Sequence, residues 1–232
     1  MDVYVDKTPS YISAAKVILA AAGPAQRLLQ NPVVTHFMIN RQARVILFKD
    51  GYKKYADIVD EFLDYLDQGV SWADENFKNM SHFYNPRTLK GLFGWTDAAN
   101  ECNMFWNKAI NHWKTVDCDK AFFYIGAAVH LIQDLCVPHH AMGMIFDGHH
   151  EYESWAGENR ETYRIERGGE YGLGDTPGEW VRKNASIAAR HYHLVRAGAT
   201  LDNYHKATSI LLTRAQTSTA GFLHYFLHKM GI

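Results

Sequence analysis

The chain has 232 residues, 47% of them hydrophobic, with a formal net charge of -1 and no basic run. That length suits one large domain or two small ones, and the balanced charge leaves no electrostatic footprint for duplex DNA or RNA. Cys102, Cys118 and Cys136 are odd in number and lack C-x-x-C spacing, which argues against a disulfide framework and a thiolate zinc site; no stretch is long and apolar enough to span a bilayer.

In chain order, Ser10 is placed to cap a helix running through Ala22, which Gly23-Pro24 interrupts. The segment from Tyr11 to Ala25 faintly resembles a signal peptide, but Asp2, Asp6 and Lys16 argue against that reading. Asn31-Pro32 marks a turn, and Val33 to Lys49 reads as a helix with Phe37, Val45 and Phe48 on an apolar face. Tyr55 to Gln68 is amphipathic: Ile58, Val59, Phe62, Leu63 and Leu66 share one side, while Asp57, Asp60, Glu61, Asp64 and Asp67 face water. Gly69 is the expected stop. Asp74 and His82 fall in polar loops, and Lys90 to Asp97 reads as a loop with Gly91 and Gly94. Ala98 to Lys114 is an aromatic-rich helix, and Asp119 is expected to cap the apolar helix that follows. Glu166 to Pro177, with four glycines, reads as a mobile loop or lid edge. Glu179 to Leu194 and Lys206 to Lys229 read as helices; strand alternation is scarce. The expected architecture is one all-α domain spanning 1–232, of about eight to ten helices, with 1–32 as an N-terminal extension or a cleaved segment.

The chemistry concentrates between His130 and Glu153. An apolar run, Ala121 to Cys136, carries His130 and Asp134 four residues apart and therefore on one helix face. An acid inside a helix that reads as buried needs a partner or a metal. Pro138 ends that helix, His139 and His140 follow, and His149 and Glu153 repeat the four-residue spacing. Imidazoles and carboxylates converging without thiolate suit a hydrolytic metal site, most often zinc. His191, His193, His205, His224 and His228 have no such partners at close spacing and read as surface or core residues.

These residues, together with T-H-F-M-I-N-R from Thr35, A-D-E-N around Asp74, S-H-F-Y-N-P from Ser81, the run from Ala121 to Ala141, and R-A-Q-T-S-T-A-G-F-L from Arg214, resemble the bacterial zinc-dependent phospholipases C, which share a fold with the fungal zinc-dependent single-strand nucleases. The resemblance covers about Thr35 to Phe226. It implies an all-helical domain of the zinc-dependent phospholipase C type with two to three Zn2+ per chain. One zinc would take Asp74, His82, His130 and Asp134; a second His140, His149 and Glu153; a third His36, a share of Asp134, and the amino and carbonyl groups of the chain's N-terminal residue. The family spacing selects His140 over His139 and His149 over His150. Secreted members begin with a tryptophan, and here none precedes Trp72, while cleavage after Ala25 would bring His36 to roughly the family distance from a new N-terminus at Gln26. Export to the extracellular space is implied by the resemblance alone.

A metal cluster of this kind makes a water nucleophilic near neutral pH and holds phosphate oxygens, with Asp74 placed to steer or deprotonate that water. The reading is a phosphodiesterase acting as a phospholipase C on glycerophospholipids, as a monomer without a transmembrane segment and with nucleic acid not the first choice of partner. The alternatives are a single-strand nuclease on the same scaffold, with Trp72, Phe77, Phe83 and Trp155 as platforms for bases, and a non-catalytic metal-stabilised lipid-surface module. For the headgroup, Glu75 stands where the family carries an aromatic, and Glu75, Phe77 and Tyr84 are the candidate substrate-binding residues.

Overall fold

The computed structural model describes residues 33–75 and 78–232. The expected helix from Ser10, the break at Gly23-Pro24, the turn at Asn31-Pro32, cleavage after Ala25, and Phe77 lie outside the described residues. Among those described there are nine α-helices: α1 Val33–Lys49, α2 Lys53–Glu61, α3 Leu63–Ala73, α4 Ala98–Lys114, α5 Cys118–Asp134, α6 Pro138–Met142, α7 His149–Asn159, α8 Pro177–Ala188 and α9 Leu201–Lys229. Short 3-10 turns, Lys78–Ser81, Leu92–Gly94, Arg160–Tyr163 and Ala189–Leu194, link them. The fold is all-α, as expected.

α5 is the axis of the assembly. From Ile125 to Asp134 every residue is buried, so this part of the helix is enclosed on all sides rather than along one stripe. α3 and α4 pack on it most extensively, and the long α9 touches α1, α5 and α8. The α3–α5 contact is backbone to backbone. A Cβ at Gly69 would fall 1.8 Å from the Phe123 carbonyl oxygen, and one at Gly126 would fall 2.1 Å from that of Leu66. Only residues without a Cβ allow that approach, and it draws the chemistry-bearing end of α5 close to Asp74 at the C-terminal end of α3. Aromatic rings fill the remainder: Phe62 stacks on Phe122 at 4.6 Å, and Phe226 meets Phe122 and Trp113 edge-on.

Four local expectations are corrected. The helix expected over Tyr55 to Gln68 is two helices joined at Phe62, whose φ of -105° and ψ of 15° kink the chain, turning its ring flat onto Phe122. Gly69 is not a stop; it lies inside α3 as the contact with α5. Asp67 does not face water: at 7% exposure it accepts hydrogen bonds from Asn40 Nδ2 (2.8 Å) and Arg41 Nη1 (2.9 Å) of α1. The cap of α5 is Asp117, accepting from the Lys120 N–H, with Asp119 in the first turn.

Residues 166–177 are tied down rather than forming a lid edge. Asp50 accepts from the Gly168 and Gly169 N–H groups and from the Tyr171 hydroxyl (2.6 Å). Glu170 pairs with Arg214, and the Tyr225 hydroxyl donates to the Asp175 carbonyl.

Candidate metal centre

Each candidate ligand is positioned by a local feature. α1 begins at Val33 and presents His36 in its first turn. The end of α3 carries Asp74, and the 3-10 turn Lys78–Ser81 delivers His82. The i, i+4 spacing on α5 puts His130 Nε2 3.1 Å from Asp134 Oδ2. Pro138 does not merely end α5: it starts α6, where a missing N–H is tolerated at the first position, and α6 brings in His140. α7 begins at His149, so His149 and Glu153 again share one face, with His149 Nε2 2.9 Å from Glu153 Oε1.

These side chains form three groups, each with donor atoms within 4.8 Å of one another: His36, His130 and Asp134; Asp74, His82 and His130; and His140, His149 and Glu153. His130 belongs to the first two. Asp134 reaches both with different oxygens: Oδ1 lies 3.5 Å from His36 Nε2, and Oδ2 lies 2.9 Å from His82 Nδ1. Asp134 Oδ2 also stands 3.7 Å from His140 Nδ1, on the side of the third group. His139, by contrast, turns away. Its Nε2 donates to the Asp147 carbonyl at 2.9 Å, and its ring stacks on His149. His150 is exposed. Of the substrate-binding candidates, Glu75 is exposed and lines an open groove with Phe37, Asp64 and Trp72, whereas Tyr84 is buried beneath Arg182. Of the residues considered as base platforms, Phe83 is buried and stacks on His140.

Within the cluster the acids and two of the histidines hold one another in their charged forms. Burial by itself would raise Asp134, but His130 and His140 hold it well below the ordinary carboxylate range. Burial likewise acts against His130, yet Asp134 and Asp74 hold it well above its usual value. His140 is raised to about 9, with Asp134 and Glu153 outweighing burial. His36 and His82 are lowered, burial being the main cause, and burial with His149 takes His139 down to about 4.

A divalent cation fits this donor set. His130 Nε2 and His82 Nδ1 face one another at 3.2 Å while both point at the same Asp134 oxygen, an arrangement suited to sharing a cation. Metal ligands need imidazole lone pairs and ionised carboxylates, and on His140 the far-side nitrogen is occupied: Nδ1 donates to the His82 carbonyl (3.0 Å), leaving Nε2 toward Glu153 and His149. Such orienting bonds fix ligand tautomers. The buried thiols take no part; burial pushes Cys136 up to about 12 and Cys102 further.

Sequence reading missed the support of His36. Gln133 Oε1 lies 2.6 Å from His36 Nδ1, and Gln133 Nε2 donates to Asn40 Oδ1 (2.8 Å) and Thr219 Oγ1 (3.3 Å). The signal available was a lone amide in an otherwise apolar stretch of α5. An apolar cleft adjoins the same ligands, with Ile39, Val137, Tyr152, Leu211 and Leu212 among its walls and His36, Asp134 and Glu153 at its polar end.

Residues 35–213 match the model of a family described as zinc dependent phospholipase C. A phospholipase C of Listeria monocytogenes is 26% identical over 227 residues, covering 85% of this chain and 78% of the relative. A phospholipase C of Bacillus cereus is 26% identical over 204 residues, covering 75% of this chain and 72% of the relative. The solved alpha toxin of Clostridium absonum superposes with a TM-score of 0.75 at 24% identity over 84% of this chain, which concerns the fold, and this chain spans 63% of that toxin's length.

Proposed function

Since the chain belongs to the zinc-dependent phospholipase C family and is a metal-dependent phosphoric diester hydrolase of the phospholipase C kind, we propose that it hydrolyses glycerophospholipids to diacylglycerol and a phosphorylated headgroup at the centre built by His36, Asp74, His82, His130, Asp134, His140, His149 and Glu153. The observation that carries this is the convergence of those donors into three groups within one chain, which also supports action as a monomer and a complement of two to three zinc ions.

Zinc ions held there polarise phosphoryl oxygens and render a water nucleophilic near neutral pH. Asp74 is the base. Its side chain is 31% exposed against 6% for Asp134, so Asp74 is the carboxylate of the α5 groups that meets both solvent and the cluster. Asp74 takes a proton as the water oxygen bonds to phosphorus; the bond from phosphorus to the glycerol oxygen breaks, and that oxygen gains a proton to leave as diacylglycerol. Asp134, buried and bonded by three histidines, holds the ligands in place. The cleft walled by Ile39, Leu211 and Leu212 sets an apolar surface beside the polar centre, in keeping with a lipid.

For the headgroup, exposed Glu75 attracts any cation, and a primary ammonium can donate hydrogen bonds to it, whereas a quaternary ammonium gains most from an aromatic face. Ethanolamine lipids are therefore preferred over choline lipids or turned over equally. The test is elemental analysis of active protein together with kinetics on matched mixed micelles. Two or three zincs per chain and release of diacylglycerol are expected. Active, unchelated protein without transition metal, or a strong choline preference that survives Glu75→Gln, overturns the corresponding part.

A further inference from the structure

Of the ten large exposed apolar side chains among the described residues, four, Leu89 (67% exposed), Phe93 (46%), Met144 (38%) and Phe146 (71%), lie on two loops, while Val34, Phe48, Met104, Val116, Leu201 and Ile210 lie elsewhere. One follows His82 and ends at the Asp97 cap of α4; the other joins α6, which carries His140, to α7, which begins at His149. The loops are neighbours. The Tyr84 N–H donates to the His140 carbonyl (3.3 Å), Asn85 Nδ2 donates to the Met142 carbonyl, and the Leu92 side chain reaches Gly143.

The first loop is held in a conformation that its sequence does not favour. Leu89 and Phe93 have φ of 57° and 51°, a region in which a Cβ crowds the carbonyl and which suits glycine. Asn85 imposes the shape: its carbonyl accepts from the Leu89 N–H, its N–H donates to the Lys90 carbonyl, and its side chain accepts from the Arg87 N–H. An unfavourable backbone maintained at residues whose side chains then project into solvent points to a role outside the fold.

Charge gives the occupant. Arg87 and Lys90 are exposed on the first loop, and Arg196 is exposed beside Gly148 at the end of the second. Neither Arg87 nor Lys90 has a carboxylate within ion-pair distance among the described residues, whereas Arg196 acts on the Asp147 carboxylate. The sequence from Phe83 to Thr96 contains no acid, and Asp147 in the second loop is engaged by the Tyr192 hydroxyl and the Ala197 N–H. Apolar projections flanked by unpaired cations match the headgroup and acyl boundary of an anionic bilayer.

We propose that Leu89, Phe93, Met144 and Phe146, with Arg87 and Lys90, form the surface by which this chain seats itself on a phospholipid bilayer containing anionic lipid, bringing the ligand-bearing loops against the headgroup layer; the choice of occupant rests on the phospholipase reading. The zinc-loaded full chain is sedimented with phosphatidylcholine vesicles with and without phosphatidylserine, in an Asp74→Asn background so that the vesicles persist. Leu89→Ser/Phe146→Ser is expected to weaken binding at least tenfold, and Arg87→Gln/Lys90→Gln to abolish the gain from phosphatidylserine. With Asp74 intact, both variants keep turnover of a monomeric, water-soluble phosphodiester within twofold.

Leu89→Gly and Phe93→Gly separate docking from folding, since glycine relieves the backbone while removing the projecting side chain. Thermal stability should hold or rise as vesicle affinity falls. Affinity unchanged in every loop variant, affinity falling only in step with thermal stability, or a self-association that Leu89→Ser/Phe146→Ser abolishes would each overturn the proposal. Loop-dependent vesicle binding without diacylglycerol release from the intact chain would leave the docking surface standing and remove the phospholipase reading instead.

Discussion

Gln133 Oε1 lies 2.6 Å from His36 Nδ1, and the direction of that hydrogen bond is set by Asp67, a residue that touches neither. The Asp67 carboxylate, bonded by Arg41, accepts only; Asn40 must therefore turn its amide N–H to Asp67 and its oxygen to Gln133. Gln133 in turn offers N–H to Asn40 and oxygen to His36. His36 is left with a proton on Nδ1 and a lone pair on Nε2, facing Asp134. Replacing Gln133 by Leu removes the acceptor and should weaken the metal held by His36 by about 10- to 100-fold, while Gln133→Glu, which keeps an acceptor, should retain more. Chelator competition on the two variants measures this.

Asp134 faces four histidines with two oxygens. Asp134→Asn exchanges one of those oxygens for an amide nitrogen and should reduce zinc content by at least one ion, with turnover reduced about 1,000-fold or more. Elemental analysis and steady-state kinetics on one preparation report both. Unchanged metal content would show that the carboxylate only braces the fold.

His139 and His140 are adjacent but differently employed. His140→Ala should lose zinc and activity together. His139→Ala removes a bond to the Asp147 carbonyl and a stack on His149; it should cost about 1–2 kcal/mol of stability while keeping a measurable share of activity and metal. The opposite ranking in metal content would place the ligand one residue earlier.

The approach of α3 to α5 has no room for a methyl group. Gly126→Ala would set a Cβ 2.1 Å from the Leu66 carbonyl oxygen, and because the obstacle is backbone, relief requires the helices to part. A loss of about 3 kcal/mol or more is expected, a fall in Tm of roughly 6–12 °C for a chain of this size, read by thermal melts of zinc-loaded protein.

Asp50 links the start of residues 166–177 to the rest of the fold. Partial burial alone would raise its pKa, but the Tyr171 hydroxyl and the Gly169 and Gly168 N–H groups lower it below its ordinary value of 3.8. A carboxylate lowered on folding contributes stability that is present above its unfolded pKa and is lost as pH falls through the folded one. Asp50→Asn should therefore be less stable by about 1 kcal/mol at neutral pH, allowing for solvent screening, with the gap constant down to about pH 5 and closing below 3.8. Paired denaturant titrations across that range test the sign.

What the sequence determined by itself was the chemistry that short-range geometry dictates. His130 with Asp134 and His149 with Glu153 are four residues apart, and a helix converts that spacing into a shared face wherever it sits. α1 and α4 were legible to the residue, because period and capping are local. His36, Asp74 and His82 were readable only through resemblance, since each reaches the cluster from a separate element across dozens of residues. Tertiary structure alone decided the rest. Asp67 looks like part of a solvated face until Asn40 and Arg41 of α1 cover it. Gly69 looks like a helix end until Phe123 lies against it, and Gln133 orients a ligand 97 positions away. In each case the deciding partner is distant in the chain, and no local periodicity or propensity records which surfaces packing will bring together.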